Sequence, residues 1–432
     1  MLKPYDEYKK TGVKWIENIP KFWNFNKIGI LFIERKTKVS DKDYPPLSVT
    51  KNGIVPQLAS AAKSDDGDNR KLVYKSDFVI NSRSDRKGSS GVSPLDGSVS
   101  LINLVLKPRK SENGDFLHYL LKHYDFIEEY YRNGRGIVAD LWTTRYSEMK
   151  NICLPIPPRQ EQDQIVRYLD WQVSKINKLI KAKKKQISLL NEQKQAIINK
   201  AVTKGLDDAV PMKDSGVEWI GEIPESWEKT KLKRLGKFKS GTNLTSLDID
   251  NTGKFAVYGG NGIRGYYNTY NNKGECVLFG RQGALCGNAH YVNGEFWATE
   301  HAVVFKPNSY VFGKWAYFLI IVMNLNQYSE SAAQPGLSVE KVININTILP
   351  TFEEQHSILN FIESKLTYIE KLITKFETEI NLINEYKTSL ISSVVTGKVD
   401  VRNIIVPEFE PEELLEEVEE ESLEEPEQMG EE

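Results

Sequence analysis

At 432 residues, with 40% hydrophobic and 27% charged side chains, the chain is too long for one small domain and apolar enough to bury a core, which excludes wholesale disorder. The formal charge of -2 hides an asymmetry: residues 408–432 hold fourteen Glu and no Lys or Arg, leaving a body with 57 basic and 45 acidic side chains. Three cysteines without a CxxC pair argue for reduced thiols; a charged start at Met1 to Lys10 and the lack of any apolar run near the roughly 20 residues of a membrane span point to a cytoplasmic protein with no membrane partner.

Taken in chain order, the sequence is written twice. Lys9 to Lys27, KKTGVKWIENIPKFWNFNK, recurs as KDSGVEWIGEIPESWEKTK from Lys213 to Lys231. The first flank leads into residues 28–154, where short apolar runs at Phe78 to Ile80 and Leu101 to Leu106 lie between Gly, Asn, Asp and Ser clusters, the signature of strands and turns. One helix is expected over Phe116 to Tyr131. From Gln160 to Thr203 the apolar residues Ile165, Leu169, Val173, Ile176, Ile180, Ile187, Leu190, Ile198 and Val202 fall three and four apart with no Gly or Pro, which predicts a long amphipathic helix with a coiled-coil seam.

After the second flank, residues 232–349 repeat the β-rich pattern, with strands at Cys276 to Phe279 and Ala302 to Phe305 and a helix over Gly313 to Tyr328. A second long helix carries Ile358, Ile362, Leu366, Ile369, Ile373, Phe376, Ile380, Ile383, Leu390 and Val394. Of the 47 positions that align 157–203 with 350–396, 16 are identical, which marks a duplication. The middles diverge, their clearest echoes being SDFVINSRSDRKGSSG against GECVLFGRQGALCGNA and LINLVLKP against TEHAVVFKP. Neither long stripe can be buried by a module of this size, so each helix is expected to pair with the other, antiparallel. The expected fold class is α+β, divided as 1–156 first module, 157–205 first helix, 206–349 linker and second module, 350–400 second helix, and 401–432 an acidic tail expected to be disordered.

Motifs for bond chemistry fail. Gly260 to Gly265 fits G-x-G-x-x-G, but the following YYNTYNNKG has no helical period, so a tight loop carrying Arg264 and two tyrosines fits better than a dinucleotide site. Asp140 with Glu148 and Lys150 resembles a nuclease triad, yet the second copy has no equivalent. No P-loop, HExxH or GxSxG is present, and His118, His123, His290, His301 and His356 show no ligand spacing. Catalytic residues and metal ligands are therefore not expected.

What remains is a set of polar loop residues: Lys51, Asn52, Arg83, Arg86, Lys87, Ser89, Ser90, Thr143, Thr144 and Arg145 in the first module, and Asn261, Arg264, Tyr266, Tyr267, Arg281, Gln282, Asn288 and His290 in the second. Arg reads guanine and Asn or Gln reads adenine through bidentate major-groove bonds, while Lys and Ser hold phosphates. Any one of them suits a solvated loop. As a set on two modules they point to bipartite reading of double-stranded DNA. A coiled-coil scaffold whose modules bind protein or glycan is the rival.

GVKWIENIPKFW and GVEWIGEIPESW, LPIPPRQEQDQIVRYLD and LPTFEEQHSILNFIE, LSVTKNGIVP from Leu47 and VYGGNGIRGYY from Val257 together resemble the specificity subunits of type I restriction-modification systems, over nearly the whole chain to about residue 400. The resemblance implies two target recognition domains, one for each half of a split asymmetric DNA site, with an internal pseudo-two-fold repeat and an antiparallel helical ruler between them. It also implies a subunit that is not an enzyme and holds no cofactor. S-adenosylmethionine would sit in two partner methyltransferase subunits, and ATP and Mg in restriction or translocase subunits recruited to the complex. The acidic tail departs from that pattern.

Overall fold

A computed structural model describes residues 3–58, 67–109, 112–136, 142–283, 285–329 and 336–410. Asp140 and residues 411–432, most of the expected tail, lie outside the described residues. The chain divides into two compact units, Met1–Lys184 with Glu377–Glu432 and Lys185–Phe376.

Unit 1 contains strands β1 (Tyr8–Val13), β2 (Ile16–Pro20), β3 (Asn24–Lys27), β4 (Phe32–Glu34), β5 (Lys38–Val39), β6 (Leu47–Thr50), β7 (Gly53–Pro56), β8 (Arg70–Val73), β9 (Phe78–Asn81), β10 (Ser90–Val92), β11 (Gly97–Val99) and β12 (Asn103–Pro108), helices α1 (Gly114–Lys122) and α2 (Tyr124–Arg132), and strand β13 (Cys153–Ile156). The helix α3 (Arg159–Lys204) follows. The main sheet is antiparallel in the order β10-β9-β12-β4. Because side chains alternate along a strand, Phe78, Ile80, Leu104 and Leu106 pack on Phe116, Leu117, Leu120 and Phe126 of the two helices. Val79 and Val105 turn to the other face, against Leu47, Ile54, Val73 and Val99. Burial of both faces explains why these strands read as unbroken apolar runs.

Unit 2 contains β14 (Met212–Asp214), β15 (Glu222–Pro224), β16 (Glu228–Lys231), β17 (Gly236–Ser240), β18 (Phe255–Gly259), β19 (Gly262–Tyr267), β20 (Asn272–Gly280), β21 (Ala289–Ala298), β22 (Ala302–Pro307), helix α4 (Gly313–Val322) and β23 (Asn346–Leu349), followed by helix α5 (Phe352–Val395). Its sheet order is β17-β22-β20-β21-β18-β19. The first four strands repeat the order β4-β12-β9-β10 of unit 1, and they hold the two weak sequence echoes. Val277, Phe279, Val303 and Phe305 face Trp315 and Leu319 of α4.

The repeated flanks fold alike. Each makes a hairpin, β1–β2 or β14–β15, and then a strand that pairs with the one preceding a long helix, β3–β13 or β16–β23. Trp23 and Trp227 are 0% and 1% exposed, and each indole N–H donates to a helix carboxylate, Glu161 at 3.1 Å and Glu354 at 3.0 Å. The adjacent Gln162 and Gln355 side chains each accept from a module backbone N–H, Asn113 or Phe312, and donate to Pro157 O or Pro350 O. This accounts for the repeated Glu-Gln pair.

Within each unit the long helices run antiparallel. Lys183 pairs with Glu379 in unit 1, and Lys194 with Glu370 at 2.9 Å in unit 2. Ile165, Leu169, Ile176, Ile180, Ile198 and Val202 are buried, while Val173, Ile187 and Leu190 are half-buried.

Three local expectations need correction. The single helix expected over Phe116 to Tyr131 is broken at His123, which is extended (φ -74°, ψ 152°), buried, and 5.8 Å from the Trp15 ring. Its counterpart likewise ends at Val322 and resumes as a short turn at Leu325–Tyr328. The chain also stays on the fold past residue 400. Val401 is buried, Gln164 Nε2 donates to Val401 O and Ile404 O, and Ser174 Oγ donates to Glu410 O. Apolar Ile404 and Val406 in this stretch outweigh the acidity that suggested otherwise.

Candidate nucleic-acid interface

In unit 1 the segment 142–145 is laced to the end of β9. Arg135 and Thr143 exchange backbone bonds, Thr144 N donates to Ser82 O and Ser84 N donates to Trp142 O. This brings Arg83, Thr143 and Arg145 to one cleft of about 750 Å³, whose wall also carries Lys36, Lys71, Lys150 and Glu34. Five cationic side chains against one carboxylate suit an anionic ligand. Lys71 Nζ donates to Asn103 O at 2.7 Å, and burial pulls its pKa below the ordinary lysine value. Lys36, Lys71 and Lys150 were not singled out in the sequence. They stand at distant positions, and the only hint was Lys150 in the rejected nuclease pattern.

The other unit 1 candidates separate into two groups. Lys51 and Asn52 are exposed at the turn between β6 and β7, where Lys122 Nζ donates to Lys51 O. They do not line the cleft. Arg86 and Lys87 are exposed on a short 3-10 turn, Lys87 pairing with Glu128 at 2.6 Å. Ser89, Ser90 and Thr144 are 5%, 0% and 0% exposed, so these three are corrected from contact residues to packing residues. Thr144 Oγ1 donates to Tyr130 O inside the core. Ser90 opens β10 and is buried where that strand pairs with Ile80 of β9, while Ser89 just before it is tied by backbone bonds to Arg86 O and Asn81 N.

In unit 2 the glycine pattern makes a hairpin, correcting the expected loop. β18 and β19 pair from Phe255↔Tyr267 to Gly259↔Gly262, closed by Gly260–Asn261, with Gly262 at φ 100°. The positive φ falls on Gly262, where the chain re-enters the ladder, and not on the loop residues Gly260 and Asn261, so a glycine is favoured at the first residue of β19. A Cβ on Gly280 would lie 1.9 Å from Gly260 O, so that glycine is required by close backbone approach. Around the tip, Asn288 Nδ2 donates to Asn261 Oδ1 at 2.9 Å, and His301 Nδ1 lies 2.8 Å from Gln282 Oε1. Arg264 is exposed beside Gly259, and the His290 ring lies under Gly262.

The tip therefore gathers Asn261, Arg264, Gln282, Asn288 and His290, and adds His301. Burial lowers the His290 pKa, which favours the neutral ring. Its Nε2 and Arg281 Nε are buried without a hydrogen-bond partner among the described residues, a cost usually met only where a ligand or water completes the set. Tyr266 and Tyr267 lie at the opposite end of β19. Tyr267 packs edge-on against Trp297 at 5.3 Å, and Tyr266 is 36% exposed.

Comparison with known proteins gives a consistent result. A family model described as the type I restriction modification DNA specificity domain matches residues 20–189 and 224–382. The chain is 38% identical over 162 residues to the type I restriction enzyme EcoprrI specificity subunit of Escherichia coli, covering 36% of this chain and 38% of that protein. It is 28% identical over 283 residues to the MjaVIII specificity subunit of Methanocaldococcus jannaschii, covering 59% of this chain and 64% of that one. The alignments thus span less than two thirds of either relative. A structure solved for the assembly and conformational transition of the type I R-M system superposes with a TM-score of 0.64 at 14% identity, over 88% of this chain and 99% of that one, which shows a common fold.

Proposed function

This chain belongs to the type I restriction modification DNA specificity family, and on that premise we propose that it is the sequence-reading, non-catalytic subunit of a type I restriction-modification complex. One module reads each half of a bipartite, asymmetric double-stranded DNA site. Partner adenine methyltransferase subunits, two per chain, are directed to that site, and restriction or translocase subunits join the same assembly. S-adenosylmethionine, ATP and Mg belong to those partners. A cytoplasmic location follows from the substrate; no helix among the described residues is long and apolar enough to cross a membrane.

The observation that carries this reading is that one scaffold, repeated down to its Trp–Glu and Gln–backbone bonds, holds two chemically different polar surfaces. Two copies reading one chemical pattern would need no such divergence. In unit 1 the Arg83, Thr143 and Arg145 cleft supplies guanidinium groups for guanine edges or phosphates, backed by Lys36, Lys71 and Lys150. In unit 2 the Asn261, Gln282 and Asn288 amides with Arg264 present donor and acceptor pairs suited to base edges. Lys51, Asn52, Arg86 and Lys87 extend the first surface.

The test is duplex binding by the chain with its methyltransferase partner as salt is raised from 50 to 200 mM. Several phosphate contacts predict a fall of orders of magnitude, roughly 10³-fold for about six contacts. Absence of duplex affinity at 50 mM salt would replace this reading with the protein- or glycan-binding scaffold.

A further inference from the structure

At the corner of unit 2 where β20 ends and β21 turns into β22, the backbone is tied on several sides. Arg281 N donates to His301 O at 3.0 Å, Leu337 N donates to Arg281 O at 2.8 Å, and Gln282 forms a bridge with Gly336. A Cβ on Gly260 would lie 3.4 Å from Gln282 O and 3.5 Å from His301 O, so the turn Gly260–Asn261 rests on the same backbone. The Gln282 side chain stands exposed on this fixed base.

Its amide is held by one end. A ring nitrogen 2.8 Å from an amide oxygen carries the proton, so His301 Nδ1–H donates to Gln282 Oε1. The other ring nitrogen, Nε2, faces Glu300 Oε1 at 3.1 Å, and the charged ring donates both bonds at once. Turning the amide over would set its amino group against Nδ1–H. The Asn261–Asn288 pair at the hairpin tip lacks that constraint, because two amides can reverse together and keep their bond.

We propose that Gln282 is a specificity-determining donor in unit 2, and that His301, held by Glu300, is the positioning residue that sets its polarity. In the major groove guanine, adenine and thymine each offer an acceptor, whereas cytosine offers only its N4 donor. An amide presented by its amino group therefore tolerates three bases and refuses cytosine. This assignment, which rests on the DNA-reading role proposed above, adds the base that is refused at one position and the side chains that refuse it.

The test is selection of duplexes, randomised over both half-sites, on the complex with its methyltransferase partner at about pH 6, below the ordinary histidine value. The unaltered chain should disfavour cytosine about tenfold at one position of one half-site. Gln282→Glu keeps an acceptor toward His301 and replaces the outward donor by an acceptor, so cytosine should become the favoured base there by about tenfold. His301→Leu should shrink discrimination at that position to about twofold or less, while His301→Asn, which keeps a donor at the place of Nδ1, should retain most of it. The other half-site should be selected identically by all of them, which reports an intact fold. Unchanged selection by Gln282→Glu, or equal behaviour of His301→Leu and His301→Asn, would overturn the assignment while duplex binding, and with it the role of the module, stands. Absence of duplex binding by the unaltered complex would remove that role and the assignment together.

Discussion

The two modules share a four-strand sheet order and differ at the edge beyond it. In unit 1 the edge strand β10 is only three residues long, and a separate sheet, β11-β8-β5, and the β6–β7 hairpin pack nearby. In unit 2 the corresponding strand β21 is ten residues long and recruits β18 in parallel, so the sheet extends to six strands and ends in the glycine hairpin. The apolar runs of the central shared strands, β9 and β12 in unit 1 and β20 and β22 in unit 2, are buried on both faces and tolerate little change, because core volume is closely matched. Variation has gone to the edges, where a longer strand or another hairpin costs little and changes which side chains face a ligand.

That contrast can be broken at several levels. The largest effect should come from exchanging residues 232–349 for the equivalent module of another family member: one half-site of the methylated sequence should change entirely and the other not at all. Mapping methylated adenines in a host genome would show this, and change in both halves would defeat modular reading. Next, Trp23→Ala and Trp227→Ala should each cost about 3–5 kcal/mol, the usual range for a fully buried aromatic. Denaturant unfolding of both variants should give similar losses; a markedly smaller loss for one would mean that the repeated clamp is repeated in geometry only.

A smaller effect separates contact from packing. Arg83→Ala and Arg264→Ala should each weaken duplex binding roughly tenfold or more, as loss of one good base or phosphate contact does, with melting temperature unchanged. Thr144→Ala should do the opposite, costing about 1 kcal/mol of stability through its lost bond to Tyr130 O while leaving the salt dependence of binding intact.

The smallest effect concerns the paired carboxylates. Thr351 and Glu354 form a reciprocal cap at the start of α5, Glu354 Oε2 accepting from Thr351 N at 3.0 Å and Glu354 N donating to Thr351 Oγ1. The first copy has Pro158 at that place, and Glu161 accepts instead from Tyr5 Oη and Trp23. Burial dominates at Glu161 and raises its pKa. At Glu354 burial also acts upward, but bonds from Thr351 and Trp227 prevail and lower it. A lowered carboxyl contributes stability above its unfolded pKa that is lost as pH falls through the folded value; a raised one is least favourable once pH exceeds the folded value. Glu354→Gln should therefore cost about 1 kcal/mol at pH 7, a difference that is lost only as pH falls through the lowered folded value, below the ordinary glutamate range. Glu161→Gln should cost less at pH 7 than at pH 4. Unfolding curves from pH 7 down through both folded values measure both.

Much of this architecture was legible in the residues alone. The duplicated flanks, the two long helices and their antiparallel pairing follow from apolar spacing, because a stripe longer than its module must be covered by something of equal length. The strand runs were equally plain, since burial of both faces leaves no polar alternation. The break at His123 was not, because helical periodicity continues through it and only packing against Trp15 shows why the chain turns.

The interface divides along the same line. Residue type identified Arg83, Arg145, Asn261 and Arg264, since charge and amide chemistry are local properties. Tertiary structure decided that Ser89, Ser90 and Thr144 face inward, that Tyr266 and Tyr267 stand away from the hairpin tip, and that Lys36, Lys71 and Lys150 join the cleft. The physical reason is that a strand sends neighbouring residues to opposite faces, and pairing register, set by contacts far apart in the chain, determines which face meets solvent.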